Sequence, residues 1–347
     1  KTGASQCGYC IPGMMMAATA ALRANPYAGR EEIKERLGGN ICRCTGYQKM
    51  FEATELARDV MNGKLTIEVL KEENEEGPFI GSNSFRIDTS SKVTGALKYA
   101  GDMVMPQMLH MQVLRSPYPH AEILELDTSE ADAMAGVEAV VTHRDVKGID
   151  GFGVFTDDQP VLARGKVRYV GEAIAAVAAE DLLTAKEALK KIKVRYRQLV
   201  AITKTEDAIK PGAVIIHDDV PDNIVMHIPI RKGNVVKGMA EADFVIEETY
   251  YTQPVEHAYL EPEAGLAYLD ADGTLVIQSP SQNITHHRQK LAKILDMPVN
   301  RVRMIMSPVG GGFGGKEDMH YQGILALAVL KCRRPVRYVF TREESII

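Results

Sequence analysis

A chain of 347 residues exceeds what one hydrophobic core commonly organises, so two or three domains are expected. With 45% hydrophobic and 25% charged residues it has an ordinary globular composition, and a net charge of -5 argues against nucleic acid or an anionic membrane as the main partner. No apolar run approaches the roughly 18 residues a membrane-crossing helix needs and no signal peptide opens the chain, which points to a cytoplasmic protein that meets a small molecule or another protein. Lys1 stands in mid-motif rather than at an initiator Met and Ile347 follows no closing element, so truncation at both ends is expected.

Four of the five cysteines fall within the first 44 residues, as Cys7-x2-Cys10 and Cys42-x-Cys44. Two close pairs of soft thiolates suit an iron–sulfur cluster or zinc. The chain between them reads as a helix from about Pro12 to Ala24, ended by Pro26, and a second from about Arg30 to Leu37, stopped by Gly38-Gly39. A third, from about Tyr47 to Met61, sets Met50, Phe51, Thr54, Ala57 and Val60 on one face. Both cysteine pairs then lie beside helix ends, where backbone N–H groups and helix dipoles stabilise a negative cluster. Zinc is the competing reading, since four thiolates satisfy its tetrahedral geometry, but structural zinc knuckles usually show C-x2-C in both halves.

Residues Gln6 to Gly13 (QCGYCIPG) and Ile41 to Tyr47 (ICRCTGY) resemble the signatures of the helical [2Fe–2S] domain in molybdenum hydroxylases, the family of xanthine dehydrogenase and aldehyde oxidoreductase. The resemblance implies that Cys7, Cys10, Cys42 and Cys44 hold the cluster nearest the molybdopterin, with Gln6 and Cys44 close to the pterin. It also implies a second, ferredoxin-like cluster domain before Lys1.

From Asn62 to about Phe85 charges and glycines, including Glu72-Glu73-Asn74-Glu75-Glu76-Gly77, interrupt the apolar pattern and read as a linker. It is too short for a flavin domain, so FAD, if used, belongs to another chain. From about Ser91 to Tyr196 strand-like runs such as Leu109, Met111 and Val113 alternate with helical ones, as in an α/β or α+β domain. Lys92 to Gly95, Arg115 to Ala121 and Val167 to Glu172 resemble the family's α/β hammerhead domain. Asp157-Asp158, in a long loop from Lys147 to Pro160, is read as a solvated turn.

Asp270 to Gly273 is a turn between strand-like runs, and the second run leads through Leu275–Gln278 to Gln282-Asn283 and a helix ending near Leu295. A strand from Val302 to Ser307 enters Gly310-Gly311-Gly312-Phe313-Gly314-Gly315-Lys316-Glu317, with an apolar helix from about Met319 to Lys331. Strand, glycine loop and helix form an anion-binding shape, although a bland tight turn fits the same pattern and neither a Walker nor a Rossmann motif is present. Val309 to Asp318 resembles the glycine loop of the molybdenum hydroxylases, and Ser281 to Asn283 their upstream segment. The resemblance implies that Gln282 and the Gly314 N–H are donors beside molybdenum, that Phe313 shapes the cofactor pocket, and that Glu317 orients a purine ring. Glu317 at a helix start is equally a routine dipole partner. Glu256-His257 and Tyr259 to Glu263 are read as structural, His286-His287 as surface residues, and Cys332 as a buried small hydrophobe.

The expectation is therefore a multidomain α+β chain. It comprises an all-α [2Fe–2S] domain over 1–62, a linker over 63–85, a hammerhead domain over 86–200, a connector over 201–225, and the first part of a molybdopterin-binding domain over 226–347. The implied activity is oxidative hydroxylation of a purine such as xanthine or hypoxanthine, with Gln282 and Glu317 as catalytic residues; the family's catalytic glutamate base is expected beyond Ile347. An aldehyde or another N-heterocycle is the runner-up substrate. A non-catalytic iron–sulfur electron carrier and a zinc-stabilised binding module are the rival classes. Candidate partners are a flavin-binding subunit and a second copy of the chain, with no nucleic acid and no membrane.

Overall fold

In the computed structural model, which describes residues 2–68, 80 and 87–347, the cysteine-rich end folds into three helices: α1 (Ile11–Ala24), α2 (Arg30–Leu37) and α3 (Gln48–Met61). Pro12 sits in the first turn of α1, and Asn25 leaves it with extended backbone, as a residue preceding a proline must. Helix α2 carries Glu31 and Glu32 in its first turn and Lys34 and Arg36 in its last, the order its dipole favours. Met14, Leu22, Ala28, Ile33, Leu37 and Met50 form the core here, with Arg30 joined to Glu55 at 2.8 Å across α2 and α3. On α3 the expected face is buried at Met50 and Thr54, whereas Ala57 is exposed. So small a core leaves little margin of stability without a staple such as a bound metal centre. The charge run from Glu72 to Gly77, and with it most of the expected linker, lies outside the described residues.

The chain divides into two compact units. One contains residues 1–99 together with Tyr259–Pro262 and Pro308–Phe313, and the other contains Ala100–Ala258, Glu263–Ser307 and Gly314–Ile347. The second unit is built on β1 (Leu109–Arg115), β2 (Ala121–Asp127), β3 (Val137–Thr142), β4 (Lys166–Val167), β5 (Ala173–Ala179), β6 (Lys193–Gln198), β7 (Ala264–Leu269), β8 (Leu275–Ser279), β9 (Val302–Met306) and β10 (Val336–Val339). Strands β4, β2 and β6 make a small sheet, and the other seven run in the order β3-β5-β1-β10-β7-β8-β9.

That larger sheet crosses the boundary expected near residues 200–225. Strand β1 pairs in parallel with β10, Leu109 opposite Val336, so β1, β3 and β5 share one sheet and one core with the strands that follow residue 225. Small and β-branched residues in β5 (AIAAVAA) suit a strand covered on both faces, and its last six residues are buried. Helix α4 (Leu182–Leu189) packs against β5, while helix α5 (Ile284–Ile294) packs against β9. Helix α6 (Gln322–Cys332) is apolar nearly all round and correspondingly buried from Gln322 to Val329. It starts later than the apolar pattern predicts: the Gln322 Oε1 turns back to accept the N–H groups of His320 (2.9 Å) and Tyr321 (3.1 Å), which lie just outside the helix. Residues 226–257, expected within the last domain, are exposed throughout and carry only the short helix Val235–Glu241. No described helix is long and apolar enough to cross a membrane.

Candidate functional site

The four amino-terminal thiols come together as two pairs. Cys44 Sγ lies 3.3 Å from Cys7 Sγ, and Cys10 shares a hydrogen bond with Cys42. The loop before α3 is shaped for this. Tyr47 adopts a left-handed φ of 68°, its hydroxyl accepts the Cys42 N–H at 2.8 Å, and Thr45 Oγ1 lies 3.2 Å from Cys42 Sγ. The Thr45 hydroxyl is the main reason that the Cys42 thiol is pulled down to about 7, while burial pushes Cys10 up to about 11. Among the described residues no three Cys, His, Asp or Glu side chains converge on one ion. Two pairs match a binuclear centre, with two thiolates per iron, better than one tetrahedral zinc. Gln6, one residue earlier, is exposed.

Within the same unit, Tyr9 donates from its phenol to the Tyr259 carbonyl at 3.5 Å. The segment around Tyr259 in turn holds the start of the glycine loop. Glu261 N–H donates to the Gly310 carbonyl at 3.1 Å, and Gly310 N–H to Glu261 Oε2 at 2.7 Å. A side chain at Gly311, where φ is 100°, would stand 2.9 Å from Tyr259 Cβ, so only glycine fits. Phe313 follows with φ 53° and an exposed ring.

In the second unit, Gln282 lies between β8 and α5, two residues before the helix, and is exposed, and its side-chain carbonyl accepts two backbone N–H groups, those of Gly314 (3.0 Å) and Lys316 (3.2 Å). Two donors fix the amide orientation with Oε1 toward the loop. Gln282 and Gly314, both assigned by sequence as donors toward a ligand, are thus bonded to each other, and the Gln282 Nε2 group is the donor left for a ligand. Glu317 is held beside them, its Oε1 accepting from Asn283 Nδ2 at 3.0 Å.

Two partners escaped the sequence reading. His287 is fully buried rather than on the surface, with Nδ1 3.2 Å from Ser281 Oγ and Nε2 2.9 Å from the Glu317 carbonyl. Its spacing of four from Leu291, on the buried stripe of α5, was the available signal. Asp157, read as a solvated turn, is ion-paired with Lys290 of α5. Cys332 is half-buried at the end of α6, packed against the core as expected of a small hydrophobe.

Three family descriptions match successive parts of the chain: "[2Fe-2S] binding domain" over residues 1–55, "Aldehyde oxidase and xanthine dehydrogenase, a/b hammerhead domain" over 94–200, and "Molybdopterin cofactor-binding domain" over 216–347. The chain belongs to the molybdenum hydroxylase family. It is 44% identical to a probable xanthine dehydrogenase subunit of Bacillus subtilis (strain 168) over 75% of its own length and 35% of the relative's. Its identity to the nicotinate dehydrogenase large molybdopterin subunit of Eubacterium barkeri is 39%, over 77% of this chain and 62% of that one. The solved aldehyde oxidoreductase from Desulfovibrio gigas superposes with a TM-score of 0.89 at 31% identity, covering 99% of this chain and 40% of that one. The chain therefore spans between about a third and two thirds of the length of these relatives.

The residues present suit both cofactors of this family. Paired thiols are the donor set of a two-iron cluster. A side chain added at Gly314, where φ is 100°, would meet nothing nearer than His257 Nε2 at 3.5 Å, which leaves the backbone open beside the Gln282 amide.

Proposed function

We propose that this chain supplies the cluster-binding end and the oxygen-facing wall of a molybdenum site in an oxidoreductase that hydroxylates a purine such as xanthine or hypoxanthine. A bound molybdenum centre would supply two-electron oxidation of the substrate, and a [2Fe–2S] cluster held by Cys7, Cys10, Cys42 and Cys44 would supply the exit for the electrons. Gln282, with its carbonyl tied to the loop, offers its Nε2 protons to the cofactor. Gly314 lets that approach happen because it has no side chain. Phe313 offers an aromatic wall, and Gln6 a pterin contact beside Cys44.

The observation that carries the purine reading is the position of Glu317. Its carboxylate is bonded to Asn283, the residue after Gln282, and one oxygen remains to accept an N–H from a heterocycle. The 44% identical relative, named for a probable xanthine dehydrogenase, supports the same substrate class. An aldehyde or another N-heterocycle is the second reading, favoured by the relatives named for aldehyde and nicotinate. A flavin-binding subunit is the partner proposed for electron exit.

The test is steady-state oxidation of xanthine, hypoxanthine, nicotinate and an aromatic aldehyde by the full-length protein and by Glu317→Gln. Purine oxidation should lose roughly 10-fold or more in kcat/KM, since a charge-assisted hydrogen bond contributes about 1.5–3 kcal/mol, while aldehyde turnover stays the same. Equal losses for all substrates would defeat the purine assignment. A protein holding iron but no molybdenum would defeat the enzyme reading in favour of an electron carrier.

A further inference from the structure

We propose that His287 is the positioning residue of this site, a neutral imidazole that locks the Gln282 turn to the loop carrying Gly314 and Glu317. The inference rests on the molybdenum-site reading of Gln282 and Gly314 given above.

The geometry assigns the protons. The Glu317 carbonyl only accepts, so the Nε2 atom 2.9 Å from it carries hydrogen. In the neutral ring Nδ1 is then an acceptor, and the Ser281 hydroxyl at 3.2 Å donates to it. The same hydroxyl oxygen accepts the Asn283 N–H at 2.9 Å. One directional chain therefore runs from the Asn283 amide through Ser281 and His287 to the main chain of Glu317, and every member is satisfied. It brackets Gln282 on both sides, at Ser281 and Asn283. Asn283 closes the bracket a second time through its side chain on the Glu317 carboxylate.

The consequence is that two segments far apart in sequence share one rigid frame. Gln282 reaches Gly314 and Lys316 from one segment, and His287 fixes the carbonyl of the next residue, Glu317, in the other. A buried imidazole is a costly way to fill this space unless its hydrogen bonds are used, because an apolar side chain of similar size would pack there without them. Burial is the main cause that holds the ring below its ordinary value, against the raising effect of the Glu317 carbonyl and of Asp318.

The experiment compares His287→Leu and His287→Gln in the full-length, molybdenum-loaded protein. Leucine removes both hydrogen bonds at similar volume, whereas the glutamine amide can present an N–H to Glu317 and a carbonyl to Ser281. His287→Leu should lower kcat by about 10–100-fold, as losing an outer partner of a metal site does, with KM within about twofold and an altered Mo(V) electron paramagnetic resonance signal at unchanged molybdenum content. His287→Gln should restore most of both. A folded, molybdenum-loaded His287→Leu protein with the parental signal and kcat would overturn the inference while leaving the proposed function standing. Should His287→Leu fail to fold, the wild-type imidazole decides. Its 15N resonances should report an Nε2–H tautomer at neutral pH, and an Nδ1–H tautomer or an imidazolium would overturn the bridge. Absence of molybdenum from the wild-type protein is the separate sign that the proposed function itself fails.

Discussion

Tyr9 and Tyr259 stand 250 positions apart in sequence, and the phenol of the first donates to the main-chain carbonyl of the second. Tyr9 precedes Cys10, and Tyr259 occupies the space that any side chain at Gly311 would need. The loop that holds the thiols and the start of the glycine loop are thus parts of one compact unit.

Gly311→Ala should therefore be felt at the cluster end. The substitution places an L residue at φ 100° and a methyl group 2.9 Å from Tyr259 Cβ. Left-handed strain of roughly 1–2 kcal/mol adds to an overpacking cost of similar size, about 1–3 kcal/mol. Thermal unfolding followed by loss of cluster absorbance should occur several degrees lower than in the parent, and an unchanged midpoint would contradict the close packing.

The cysteine arrangement predicts stoichiometry. The purified protein should contain two irons for this cluster and absorb in the visible, and Cys10→Ser or Cys42→Ser should abolish both together, because the proposed cluster takes all four thiolates. With a six-residue core beneath it, the helical unit should also unfold at lower temperature once the cluster is lost. Colourless protein retaining one zinc would instead favour the zinc module.

Burial holds the imidazoles of His110, His143 and His287 below their ordinary value of 6.5. For a base with a depressed native value, the unfolded chain takes up the proton first as pH falls, so this contribution is absent above 6.5 and destabilises progressively below it. Asp150 and Glu172 are pushed up by burial and act in the opposite sense, recovering stability as pH falls from their raised native values to the ordinary carboxylate range. The melting temperature should therefore decline between about pH 7 and pH 5, and His287→Gln should flatten part of that decline. A melting temperature independent of pH across this interval would show that the buried rings are not neutral.

Local signals were legible, and long-range ones were not. Helix α2 begins and ends where the sequence placed it because Gly29 and Gly38 bracket it. The turn from Asp270 to Gly273 and the strands on either side follow from turn chemistry and period-two patterning. The start of α6 was missed because the Gln322 side chain turns back onto the His320 and Tyr321 N–H groups, a contact that the apolar pattern does not signal. The pairing of β1 with β10 has no local signature, since nothing near Leu109 specifies Val336. At the site, the resemblance of Ser281 to Asn283 and of the glycine loop to the family's segments singled out Gln282, Gly314 and Glu317, but not that Gly314 donates to Gln282 itself or that His287 turns inward. Those facts depend on which way a side chain faces after the loops meet.

The parallel ladder between β1 and β10 also sets a schedule for biosynthesis. One edge of β1 must wait for a strand made more than two hundred residues later, an interval on the order of 10–50 s at ordinary translation rates. Until then the nascent polypeptide exposes an unsatisfied row of amides and carbonyls beside the alanine-rich β5, the kind of surface that chaperones cover. The ribosome-bound intermediate is thus expected to be the aggregation-prone stage in the life of this protein, and slowing its release should lower the yield more than mutating any exposed loop.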